Sequence, residues 1–163
     1  MSVLKAILQP SAEVLFRQVS PSPAWLNDGR VTSVAFIPWE KDQGLLSVSC
    51  ESKTNAEGCY THYTKTLNLP SVGVWGVSTD EAKAIGLDSY WSPVEPPDPR
   101  PPDPAHASID FRGLDEKAAK TRAKALAKKA HERGRLYPPL QQGQTVAPPP
   151  PPPAAPAAQP AKI

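Results

Sequence analysis

Cysteine is scarce: Cys50 and Cys59 are the only two in 163 residues. Two thiols do not make a disulfide framework, and they read as reduced, partly buried side chains of an intracellular protein. No Cys/His cluster has zinc-ligand spacing, so neither a metal nor another cofactor is expected. No apolar run approaches the roughly 20 residues that a membrane-spanning helix needs. The N-terminal "MSVLKAILQP" has one lysine and a short apolar stretch ended by Pro10. It is too short for a signal-peptide core and has no small-residue cleavage site, which predicts a soluble, cytoplasmic chain. Internal repeats, an RNA-recognition signature, a zinc finger and a clear helix-turn-helix are all missing.

Proline, by contrast, is in excess and unevenly placed. Of 22 prolines, seven lie between Pro93 and Pro104 and six are consecutive from Pro148 to Pro153. They pull the hydrophobic fraction down to 39%, and about 110 to 120 residues remain to build a core, enough for independent folding. The net charge of +2 also hides an asymmetry. Residues 1–113 carry 9 Lys/Arg and 13 Asp/Glu, whereas residues 114–163 carry 9 and 3. An acidic body thus precedes a basic C-terminal part.

Local patterns give the elements. EVLFRQV (13–19) reads as a strand or short helix stopped by Pro21 and Pro23. Asn27-Asp28-Gly29 is a turn, since these residues tolerate left-handed backbone. VTSVAFI (31–37) reads as a strand ending at Pro38. LLSVSC (45–50) alternates, which sets Leu46, Val48 and Cys50 on one face. Thr54 to Glu57 matches a capping box, opening a helix to about Leu67 with Ala56, Tyr60, Tyr63 and Leu67 on one side. SVGVWGVS (71–78) is apolar on both faces, as a central strand would be, and Gly73 and Gly76 mark a bulge or a close backbone approach. Ser78 to Glu81 is a second capping box, with Gly86 a stop. Residues 92–104 form an extended proline-rich surface loop. AHASIDF (105–111) alternates as a strand, and residues 115–133 form a long helix from an Asp115 cap to Gly134. The sum is an α+β domain over residues 1–137: a small mixed or antiparallel sheet of about five strands with two to three helices, the last long and basic. Residues 138–163 form a disordered Pro/Ala-rich tail that favours polyproline II, as a spacer or a docking motif.

Candidate chemistry is thin. His106, Ser108 and Asp110 contain the residue types of a Ser/His/Asp triad, but same-face neighbours on one strand stand about 7 Å apart. They cannot bond to one another as a triad must, so they read as the polar outer face of an edge strand. His62 lies off the Tyr60/Tyr63 stripe and faces solvent or a cleft. Arg17 sits inside an apolar run, and Arg30 follows the Asn-Asp-Gly turn. Two guanidinium groups on neighbouring strands would clamp an anionic ligand; the structural alternative is an internal ion pair with Glu40, Asp42 or Asp110.

The segments RQVSP, DGRVTSVAFIP, DQGLLSV, SVGVWGVS and PAHASIDF together resemble a family of small bacterial proteins of unassigned activity. Its pattern is R-Q-V…G-R-x-[ST]-S-x-A-F-x-P…L-S-V, and the resemblance covers roughly residues 13 to 137. It implies a bacterial origin and a single domain, without a mechanism. It also implies that Arg17, Arg30, Ser33 and His106 are family features.

The clearest physical feature is the C-terminal helix. Ala119, Ala123, Leu126 and Ala130 form a narrow apolar stripe. Lys117, Lys120, Lys124, Lys128, His131 and Arg135 fall on the opposite side as a basic ridge. Such a ridge is most simply a solvated face, and cations near a helix C-terminus also suit the macrodipole. As a contact it fits an acidic protein partner best. Nucleic acid has no motif in support, and a membrane would need bulkier anchors than alanine. The sequence therefore supports two functions. One is a binding or accessory protein docking an acidic partner through this helix. The other is a small enzyme acting on a phosphate-bearing, nucleotide-like ligand held by Arg17 and Arg30, with His62 or His106 as acid/base. The second requires both arginines and one histidine to line a common cleft.

Overall fold

The computed structural model describes residues 3–139. Residues 140–163, and with them nearly all of the expected Pro/Ala-rich tail, lie outside the described residues. Six strands form one antiparallel sheet: β1 (Ala6–Ile7), β2 (Val14–Val19), β5 (Leu45–Cys50), β6 (Gly73–Ser78), β7 (Ser89–Trp91) and β8 (His106–Asp110). Their spatial order is β1-β7-β8-β5-β2-β6. A small hairpin, β3 (Leu26–Asn27) and β4 (Arg30–Val31), stands apart from it. The helices are α1 (Ala56–Thr61), α2 (Thr79–Ala84) and α3 (Glu116–Arg133). This is the expected α+β architecture.

The long helix forms as its sequence dictates. Asp115 caps it, accepting a hydrogen bond from the Ala118 amide at 2.7 Å, and Gly134 ends it at φ 87°. Ala123, Leu126 and Ala130 are fully buried, and they join one cluster with Leu15, Trp75 and Val77 of the sheet. Alanine lets the helix lie close to the strands while the lysines stay in water. α2 also starts as expected, with both arms of the Ser78/Glu81 capping box formed.

Four expectations change. Residues 31–37 are not one strand: β4 ends at Val31, and Ser33–Phe36 wind into a 3₁₀ helix that sends Ala35 and Phe36 into the core. Burial of those two side chains overrides β-propensity. The cap of α1 is Asn55 rather than Thr54, with its side chain accepting from Gly58 at 2.8 Å, and no capping box forms there. Beyond Thr61 the helix widens into a π-turn, His62–Thr66.

β6 is buried at every position yet sits at an end of the sheet, not its centre. Its far side is covered by the chain that follows α3. Val74 donates to the Tyr137 carbonyl at 2.7 Å, and Leu136 donates to the Val74 carbonyl at 2.7 Å. The two glycines make this approach feasible. A Cβ at Gly73 would lie 2.8 Å from the Tyr137 oxygen, and one at Gly76 would lie 3.1 Å from Leu136 Cδ1. The fourth change concerns β8. It runs between β7 and β5 rather than at an edge, and His106 and Ser108 are buried.

One irregularity positions the site. β2 pairs with β6 along six positions, but with β5 only at Leu15↔Cys50 and Phe16↔Ser49. Past Phe16 the two strands part, and the sheet opens.

A candidate cleft over the sheet opening

The opening between β2 and β5 is the floor of a cleft of about 440 Å³. That is within the range of small-molecule sites, about 300–1,000 Å³. Arg17, His62 and His106 line it together with Ser47, Tyr63 and Trp39.

Arg17 bridges the parted strands. Its Nε donates to the Ala35 carbonyl at 2.7 Å, and its Nη1 donates to the Ser47 carbonyl at 2.9 Å, where the β2–β5 ladder has stopped. The guanidinium lies 5.2 Å from the centroid of the Trp25 ring, a cation–π distance. Only 9% of the residue is exposed. Among the described residues, none of the ion pairs includes it. The expected internal pair with Glu40, Asp42 or Asp110 is therefore not formed: Asp110 is taken by Arg112 at 2.9 Å, and Asp42 acts only through space. Burial pushes the Arg17 pKa down to about 10, against opposing contributions from Tyr63 and Asp42. It stays cationic at neutral pH.

The two-arginine clamp does not form either. Arg30 leaves its hairpin toward α3, where its Nη1 lies 3.2 Å from His131 Nε2. The type of turn explains this. Asp28 and Gly29 both have positive φ, at 56° and 76°, which closes a two-residue hairpin and fixes the direction of β4. The requirement set by the sequence for the two-arginine enzyme is thus unmet at Arg30, although Arg17 and both histidines share the cleft.

His106 is the most constrained side chain there. Its Nδ1 lies 2.7 Å from the Ser92 carbonyl oxygen and 3.0 Å from Ser92 Oγ. A carbonyl only accepts, so Nδ1 carries the proton and Nε2 has a free lone pair. Facing that lone pair at 3.2 Å is Ser47 Oγ. Ser92 Oγ in turn shares a hydrogen bond of 2.8 Å with Ser108 Oγ. Burial lowers the His106 pKa, partly offset by the bond to the Ser92 backbone, so the ring is neutral at physiological pH. His62 stands at the rim with Nε2 3.7 Å from an Asp103 carboxylate oxygen.

The rim supplies aromatic surface. Trp25 and Trp39 lie 6.5 Å apart between ring centroids, and Trp39 is 55% exposed. The Lys41 ammonium sits 5.7 Å above the Trp39 ring. Deeper in, Gln18 Nε2 donates to Cys59 Sγ at 3.0 Å. Burial raises the pKa of this thiol and of Cys50, so both stay protonated, and both are free of disulfides.

Away from the cleft, Lys117, Lys120, Lys124 and Lys128 are exposed in a row along α3. His131 is half-buried against Arg30 and does not extend that row. Arg135 lies past the helix end, and its aliphatic carbons pack over Gly73. Helix termination at Gly134 removes it from the expected ridge. Among the described residues, no group of three His, Cys, Asp or Glu side chains is placed to hold a metal ion. Nor is any helix among them long and apolar enough to cross a membrane.

Ser47, Ser92, Trp25 and Trp39 are not singled out by the sequence pattern. One signal was available. The alternation of LLSVSC puts Ser47 and Ser49 opposite the apolar face, as AHASIDF does for His106 and Ser108. Two neighbouring strands that turn Ser47, Ser49, His106 and Ser108 to one side suggest a site more than a plain solvated face. No protein-family model, curated protein or solved structure matches the chain.

Proposed function

We propose that the cleft binds a small phosphate-bearing ligand with a planar ring, the phosphate on Arg17 and the ring against the tryptophan rim. The carrying observation is a buried guanidinium, held by two main-chain carbonyls and without a carboxylate partner among the described residues, that lines an open cleft. Burying an uncompensated charge is costly, and an anionic ligand offsets that cost. Lys41 adds a second cation at the mouth. Quenching of tryptophan fluorescence tests this, because a ring stacked on Trp25 or Trp39 perturbs the signal directly. A nucleoside monophosphate should quench saturably, the matching nucleoside should bind at least about tenfold more weakly, and Arg17→Met should remove the difference. Equal titrations of monophosphate and nucleoside would defeat the reading.

A second reading keeps the basic helix as a docking surface for an acidic protein partner. The row Lys117, Lys120, Lys124 and Lys128 supports it, since all four are exposed on α3, the only long helix among the described residues, which follows the acidic body. Reversing Lys120, Lys124 and Lys128 to glutamate should abolish capture of an acidic partner and leave ligand quenching in the cleft intact. Undiminished capture by the reversed protein would end this reading.

A further inference from the structure

We propose that Ser47 and His106 form a nucleophile–base pair that hydrolyses a carboxylic ester carried on the ligand of the cleft. The pair is assembled from two strands. β5 and β8 are in register at Ser47↔Ser108 and Ser49↔His106, so Ser47 and His106 are diagonal neighbours on one face. Their side chains meet at 3.2 Å between Oγ and Nε2. The direction of that bond is fixed from behind. Nδ1–H donates to the Ser92 carbonyl, Nε2 can only accept, and Ser47 must donate. This is the arrangement that general-base activation of a hydroxyl requires: nucleophile on base, base on an orienting group. Ser92 is a positioning residue, kept in place by Ser108.

The steps balance with water as the co-reactant. Ser47 Oγ attacks the ester carbonyl carbon, and its proton passes to Nε2. The bond from carbon to the leaving oxygen breaks as Nε2 returns that proton to the departing alcohol. Water then attacks the acyl-serine, again losing a proton to Nε2, and the acid leaves as Oγ recovers it. The orienting group is a neutral carbonyl rather than a carboxylate, which stabilises the transient imidazolium less. That favours an ester, with its better leaving group, over an amide.

The pair does not depend on Arg17 holding a ligand, but the anionic end of the substrate does rest on that reading. A fluorophosphonate probe with mass mapping separates the two. One adduct is expected, on Ser47, absent in Ser47→Ala and formed about 100-fold more slowly in His106→Gln. Inorganic phosphate should slow the labelling. Labelling that phosphate leaves unchanged keeps the pair and removes the anionic end. Phosphate binding without labelling keeps the anion site and overturns the pair. Should His106→Gln fail to fold, Ser47→Cys serves instead. Iodoacetamide should alkylate the introduced thiol with a pH profile displaced below the ordinary thiol range. An ordinary thiol profile would overturn the pair.

Discussion

On the face of the sheet beneath α3, Trp75, Leu15, Val77 and Leu126 are buried against one another with hardly a polar atom among them. On the opposite face, beneath the cleft, Gln18, His106 and Ser108 are buried too, yet each is held by hydrogen bonds, and Arg17 reaches the gap between β2 and β5 from the Leu15 side. The first arrangement draws its stability from removing apolar surface from water. The second gains little, because each bond only replaces one made to solvent. A chain that needed only to fold would have done as well with apolar side chains on both faces. The cleft face is the one whose composition calls for a functional explanation.

The contrast can be broken first at the apolar face. Trp75→Ala should destabilise the protein by about 3–5 kcal/mol, since the side chain is 1% exposed at the centre of the packing. Urea unfolding measures this. A loss below about 1 kcal/mol would mean that this face is not the main source of stability.

The cleft face should instead reveal itself through pH. The His106 pKa is lowered in the folded protein from an ordinary value of 6.5, chiefly by burial. The unfolded chain therefore takes up the proton first as the pH falls. Stability from this group is complete above about pH 6.5 and declines as the pH drops through the lower folded value, by at most about 1.4 kcal/mol per pH unit. Unfolding in urea between pH 7 and 5 should show the decline, and His106→Gln should flatten it. Glu81 and Asp110 also have lowered pKa values, but they weaken the fold only in the more acidic carboxylate range. The smallest effect belongs to the helix surface. Reversal of Lys120, Lys124 and Lys128 should change stability by no more than about 0.5 kcal/mol, because exposed side chains contribute little to the fold.

What the sequence discloses follows the same division. Leu46, Val48 and Cys50 announce their shared face by simple alternation, and the Ser78 box and the Asp115 and Gly134 signals mark helix ends correctly. Each of these depends on neighbours a few positions away. The 3₁₀ turn at Ser33–Phe36 is illegible because its cause is the distant surface of α3. The cleft is less legible still. Ser47 and His106 are 59 positions apart, and Arg17 and Ser47 are 30. Their meeting depends on the strand order β8-β5-β2 and on a ladder that stops after two pairs. No local pattern encodes where a ladder stops. Arg17 stood out in the sequence for the right reason, a charge among apolar neighbours, but its partners proved to be backbone carbonyls, which no sequence pattern marks.

The strap after α3 has a consequence for aggregation. β6 is a six-residue, wholly buried strand at the end of a sheet, rich in valine and tryptophan, with neither charge nor proline. Left bare, such a strand is a template for pairing with another molecule. Leu136 and Tyr137 occupy its free side in place of a second chain. At the opposite end of the sheet the edge is only two residues long, and shortness alone protects it. A chain cut back to Gly134 would keep every strand and helix and every residue of the cleft, and would lose its guard against strand-to-strand assembly.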